Sequence, residues 1–258
     1  DARPVEAPPV QLLLTAEVHN ATAPCGCTSD PLGDVARLAG LVRAAGDRGL
    51  LLDSGGLLYK DVGAWPAQDQ RKARFLWETF GALKAVGTVQ PEDLLQGALP
   101  AGDGPQLVVS NGAVPALSRA APEVLRTVGG VRVGVVGVLS PEAPWPPPWS
   151  TPGAPAAELS TLVSGRVQSL RAAGAQFIVA LTGLSRAPAR RLARTVPGLD
   201  VVVAGDQVED GVAEPEQLVS EGGAPGAILV VPAKEAQRVV RVQLYRYPAG
   251  AAPGSPRL

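Results

Sequence analysis

Apolar residues fall in short blocks separated by amphipathic stretches, and that pattern predicts strands alternating with helices. The first block, Val10 to Val18, reads as a buried strand. A helix is predicted to follow from Asp34, which supplies the N-cap, with Val35, Leu38, Leu41 and Val42 at helical spacing. Gly46 and Gly49 end it before a second apolar strand, Leu50 to Asp53. A longer helix is predicted from Gln68 to Val86, with Phe75, Leu76, Phe80 and Leu83 on one face. Further strands are expected at Leu107–Val109, Val131–Val138, Phe177–Leu181 and Val201–Val203. Two more follow at Ile228–Val231 and Val239–Tyr247, the last alternating as a half-exposed strand does. The stretch from Ser140 to Pro155 is too rich in proline for a helix or a central strand. It is read either as a surface segment presenting Trp145 and Trp149 to a partner or as a loop folded over the protein's own core. A helix from Ala156 to Ala173 leads into the second half. Strands alternating with helices, closed by hairpin-like strands, predict an α/β domain with helices covering the sheets.

Composition acts mostly by exclusion. Hydrophobic residues make up 46% and charged residues 18%, which is a globular balance. A formal net charge of -1, with no basic stripe interleaved with aromatics, gives no support for a nucleic-acid partner. No apolar run approaches the roughly 18 to 20 residues needed for a transmembrane segment. The sequence contains no Met and opens on Asp1-Ala2-Arg3-Pro4, followed by a stretch rich in Pro and Ala. Removal of a secretory signal is the expectation, with a lipid anchor upstream of residue 1 as one way to hold the chain. Residues 1–9 then read as a tether, 10–248 as a single domain and 249–258 as a tail. Few Lys and many Arg, Ala, Pro and Gly point to a bacterium with a GC-rich genome. The expected location is periplasmic or associated with the outer membrane.

Several segments share an order with a known family. Thr15-Ala16-Glu17-Val18-His19-Asn20 is similar to a strand followed by Asp-x-His, and Leu52-Asp53-Ser54-Gly55-Gly56-Leu57 to an Asp-x-Gly-Asp motif. Pro31 to Leu38 is similar to a Gly-Gly-x-x-Arg helix start, and Val109-Ser110-Asn111 to a Ser-x-Asn strand. Gly130 to Gly137, Ile178 to Leu181 and Pro197 to Gly205 complete the set. In this order and spacing the chain resembles the 5'-nucleotidase branch of the calcineurin-like metallophosphoesterases from about Val10 to Tyr247. The resemblance implies a four-layer α/β/β/α sandwich with mixed sheets and a pair of metals at the strand ends.

Chemistry in that family needs two divalent cations about 3.5 to 4 Å apart, which clamp the phosphate and activate a hydroxide. The residues that the resemblance places in those positions are mostly wrong for it. The first Asp is Glu17 and its His survives as His19, while the bridging Asp is Gly56. The Gly-Asn-His-Glu motif falls on Gln90-Pro91-Glu92-Asp93, a single His on Gly183, and the final Gly-His-x-His on Gly205-Asp206-Gln207-Val208. The former metal pocket is thus expected to comprise Asp53, Gly56, Glu92, Asp93, Asn111, Gly183 and Asp206. One His in the whole chain cannot supply the several imidazoles the mechanism uses. No cofactor is expected beyond, at most, one weakly bound divalent metal at Glu17 and His19. The same pair reads first as strand-end residues making ordinary hydrogen bonds. Asp53 reads as an acceptor for loop amides, and Asp206, Glu209 and Asp210 as solvated acids or as a hard-cation site.

Cys25-Gly26-Cys27 sits just after the first motif. In an oxidising compartment the two thiols are expected to form a small disulfide, structural or redox-active; a soft-metal role and buried inert thiols are the alternatives. These readings converge on a catalytically degenerate phosphoesterase domain acting as an exported binding or structural subunit, with a protein partner in the cell envelope. The alternatives are an atypical single-metal or redox enzyme using Glu17, His19 and the Cys25/Cys27 pair, and a nucleotide or phosphoester binder that does not hydrolyse.

Overall fold

The computed structural model describes residues 9–24, 32–62, 65–94, 98–112, 117, 119–146, 155–206, 214–219 and 225–245. Cys25, Cys27, Trp149 and the two terminal stretches, 1–8 and 249–258, lie outside these, as do Glu209 and Asp210. Two mixed sheets face each other. In the first, β1 (Val10–Thr15), β2 (Gly49–Asp53), β3 (Val86–Gly87) and β4 (Gln106–Leu107) run parallel, and β11 (Val240–Leu244) joins β1 antiparallel. In the second the order is β5 (Val124–Val128), β6 (Val131–Val138), β7 (Phe177–Thr182), β8 (Val201–Ala204), β10 (Pro225–Val230) and β9 (Glu216–Val219). Its four central strands are parallel and both edges antiparallel.

Strand alternation builds the layers. Leu12 and Leu14 of β1 and Leu50 and Leu52 of β2 point between the sheets, against Val133, Val135 and Val179. Leu13 and Leu51 point the other way, into the core under α1 (Val35–Ala45) and α2 (Ala67–Ala82). The outer face of the second sheet is covered by α3 (Leu159–Ala172) and α4 (Arg186–Thr195) through Val163, Val167, Leu192 and their neighbours. Both faces of both sheets are therefore buried, which explains why these strands read as nearly continuous apolar blocks. The layering is the α/β/β/α sandwich expected. Among the described residues no helix is long and apolar enough to cross a membrane.

Local chemistry sets most boundaries. Asp34 caps α1 by accepting from the Arg37 amide at 2.6 Å, and Gly46 at φ 58° closes it. The α2 helix stops at Ala82, short of the expected Val86, because Lys84 turns into positive φ and releases Val86 into β3. Its buried stripe is Ala73, Leu76, Trp77 and Phe80, and Phe75 is half exposed. A single residue step of about 100° carries Phe75 off that stripe. Likewise Leu41 of α1 faces solvent. Four elements escaped the sequence reading: β3, β5, β9 and α4.

Candidate functional site: a pocket at the strand ends

Parallel strands β1, β2, β7 and β8 end on one side of the molecule, where ligand sites of α/β sheets lie. Register brings the first two motifs together, since Thr15 pairs with Asp53 at the last step of the β1–β2 ladder. Beyond it the two loops are laced by backbone bonds. The amides of Glu17, His19 and Asn20 donate to the carbonyls of Gly55, Gly56 and Leu57 at 2.8, 2.8 and 3.2 Å. Glu17, His19 and Asn20 all have positive φ, at 49°, 53° and 64°. Three non-glycine residues in that region are costly, and this lacing holds them there.

Several of the residues expected in the pocket stand behind it as braces. Asp53 is buried, accepting from Thr15 Oγ1 at 2.6 Å and from the Gly55 amide at 3.0 Å. Burial outweighs those bonds and pushes its carboxyl up to about 8. Asp93 accepts from the amides of Gly56, Leu58 and Gln90 at 2.9, 2.8 and 2.9 Å, so it fastens the second loop to the third. Asn111 forms a two-way bridge with the Leu139 backbone, donating to its carbonyl and accepting from its amide at 2.8 Å each. That role ties two loops together and keeps Asn111 out of the pocket lining. Trp145 is 7% exposed and packed in the core beneath α2, with its indole N–H donating to the Ser140 carbonyl at 2.8 Å. Of the two readings of this segment, the loop folded over the core is the one that Trp145 fits, its large ring buried and its one donor satisfied.

What the strand ends do bring together is Glu17, His19, Glu92, Gly183 and Asp206, in one pocket of about 1010 Å³. Glu17 is only 5% exposed. His19 Nε2 lies 4.0 Å from Glu92 Oε1. Burial, reinforced by the Lys234 ammonium, pushes the His19 imidazole down to about 4, so it is neutral at neutral pH. Burial and the nearby Asp93 carboxylate push the Glu92 carboxyl up to about 8. Asp206 is raised by burial, with Lys234 opposing. Gln90 also lines the pocket, and its amide donates to the carbonyls of Gly205 at 2.9 Å and Ser54 at 3.4 Å. Ser54 Oγ in turn accepts from the Thr182 amide at 2.9 Å. These bonds join the ends of the two sheets directly. Sequence reasoning missed Gln90, Lys60, Lys234 and Arg191 as pocket residues, because the spacing of a motif carries no sign of what a distant loop brings beside it.

The donor set does not fit the metal pair that the fold implies. A bridging carboxylate would have to grow from Gly56, and a Cβ there would lie 3.0 Å from Glu17 Cα, 3.1 Å from Glu92 Oε1 and 3.2 Å from Glu17 Cγ. A side chain there would press on Glu17 and Glu92, which would have to give by a few tenths of an ångström. Among the described residues no group of three or more His, Cys, Asp or Glu is placed to hold a metal ion.

No protein-family profile and no curated protein matches the chain. Solved structures do. A 5'-nucleotidase precursor from Thermus thermophilus superposes with a TM-score of 0.72 at 20% identity, over 93% of this chain and 55% of that one. The NAD nucleotidase of Haemophilus influenzae gives 0.72 at 12% identity, over 94% and 48%. The calcineurin-like phosphoesterase YfkN from Bacillus subtilis gives 0.66 at 17%, over 94% and 86%. The chain spans about half the length of the first two structures. Two mixed sheets between helix layers, matched over more than nine-tenths of the chain, give it the fold of these nucleotidases and calcineurin-like phosphoesterases.

Proposed function

We propose that this chain is a catalytically degenerate member of its fold class, acting in the cell envelope as a binding subunit. The observation that carries the reading is Gly56. Two-metal phosphate chemistry needs a carboxylate between the metals, and at that position the chain has a glycine with Glu17 and Glu92 close against it. The remaining groups are those of a binding pocket: a neutral imidazole, buried carboxyls, an amide already engaged by backbone, and open volume of ligand size. Placement in the envelope rests on the Cys25/Cys27 pair, which suits an oxidising compartment, and cell fractionation that finds the protein in the cytoplasm would overturn that part.

The direct test is turnover of phosphomonoesters and nucleotides by purified protein with Mn, Mg, Zn or Co added. No rate above the buffer blank is expected. Metal-dependent turnover that disappears in Glu17→Ala or His19→Ala would refute the reading.

A further inference from the structure

Both sheets converge on one side-chain amide. Gln90 follows β3 of the first sheet, and its side chain reaches across to the second. Its Nε2 donates at 2.9 Å to the carbonyl of Gly205, next after β8, and at 3.4 Å to that of Ser54, next after β2. Gln90 is only 5% exposed, so it stands at the inner end of the pocket it lines. Its base is fixed as well, because its backbone amide donates to Asp93 at 2.9 Å and Pro91 follows it.

Glycines make this arrangement possible. A Cβ at Gly55 would lie 2.8 Å from Gln90 Cγ, and one at Gly183 would lie 3.5 Å from the same atom. A Cβ at Gly205 would fall 2.4 Å from the Thr182 carbonyl oxygen and 2.7 Å from that of Ser54. Glycine there lets two strand ends approach until one amide reaches both carbonyls. The ends of parallel strands are where α/β sheets take ligands, and here the position between the two sheets holds the chain's own side chain. Two carbonyls converging on one NH2 group also select for a donor. A carboxylate of the same shape would set acceptor against acceptor.

We propose that the inner end of the pocket is a subsite for a primary amide, and that Gln90 occupies it as an intramolecular ligand. Whatever the pocket binds then sits in the open volume outside Gln90, because a tethered amide has an effective concentration that a free one does not reach. This goes beyond the binding role proposed above by naming the group that holds the inner subsite. It stands on the geometry of Gln90 whether or not the pocket turns anything over.

Chemical rescue tests it. Gln90→Ala removes a group with the shape of acetamide. Acetamide at about 0.1 M is expected to raise the thermal midpoint of Gln90→Ala by about 2 °C or more. Wild type, whose subsite is filled, should not shift, and acetate should shift neither protein. Two measurements decide the matter where Gln90→Ala does not fold. In wild type the side-chain NH2 protons of Gln90 should exchange with solvent at least about tenfold more slowly than those of the exposed Gln68. Gln90→Met, which fills the space without a donor, should melt below wild type. Acetamide without effect on folded Gln90→Ala, or equally effective on wild type, overturns the inference. So does acetate matching acetamide, Gln90→Met as stable as wild type, or exchange at Gln90 as fast as at Gln68. All of these are read without metal or turnover, so their failure is distinct from failure of the degenerate-site reading.

Discussion

Restoring the missing carboxylate should damage the protein rather than repair it. In Gly56→Asp three costs add. The backbone at φ 69° costs a residue with a Cβ about 1–2 kcal/mol, with Asp at the lower end because its short polar side chain tolerates that region. The new Cβ at 3.0 Å from Glu17 Cα meets backbone, which must shift by a few tenths of an ångström, and overpacking of this kind costs about 1–3 kcal/mol. The carboxyl itself would be buried beside Glu17 and Glu92, where it must either stay protonated or add like-charge repulsion. The first two costs sum to about 2–5 kcal/mol before the carboxyl is counted, a large part of the roughly 5–15 kcal/mol a domain has in hand. Urea unfolding followed by tryptophan fluorescence measures it, and Gly56→Ala separates the backbone and Cβ costs from the charge. A Gly56→Asp protein as stable as wild type, or one that Mn or Zn stabilises well above wild type, would show that the space for a bridging ligand is still there.

Two further outcomes follow from the same corner. Asp53 and Glu92 both titrate near 8 in the folded chain, above the ordinary carboxylate range near 4, so the folded state holds protons that the unfolded state has released. That stabilisation is present at low pH and is lost as pH rises toward 8. His19, lowered to about 4 from 6.5, works in the opposite direction, but only up to about pH 6.5. Stability should therefore fall between about pH 6.5 and 8, by up to about 1.4 kcal/mol per pH unit for each carboxyl, and Glu92→Gln should flatten the slope. Urea midpoints across that range decide it, and stability rising over the interval would contradict the assignment. Gln90→Ala removes the donor shared by the Gly205 and Ser54 carbonyls and should cost about 1–3 kcal/mol in thermal or urea unfolding. A loss below a few tenths would mean that the two sheet ends do not depend on this clip.

The fold was legible where the residue pattern alone decides it. Leu12, Leu13 and Leu14 are buried on both faces, so a central strand is the only home for them, and β6 matches its expected span from Val131 to Val138. The miss at α4 has a plain cause: only Ala189, Leu192 and Ala193 are buried on that helix, too faint a stripe among four arginines and a proline. The β3 strand is two residues long, and pairing on both sides places it rather than its own pattern. At β5 the turn through Gly129 and Gly130 makes a hairpin with β6, a two-residue signal present in the sequence and passed over. The site was half legible. Glu17 and His19 do reach a pocket with Glu92 and Asp206, but residue identity could not tell that Asp53, Asp93 and Asn111 serve as braces. Those roles depend on which amides lie within reach, and the long-range pairing of Thr15 with Asp53 sets that.

Metal stoichiometry tests the central claim most directly. Purified protein would be dialysed against excess Mn or Zn, passed through a desalting column and analysed for metal per chain. The arrangement around Gly56 predicts no retained pair, with at most about one weakly held equivalent that leaves on desalting. Two equivalents retained, and lost together in Glu17→Ala or His19→Ala, would contradict it.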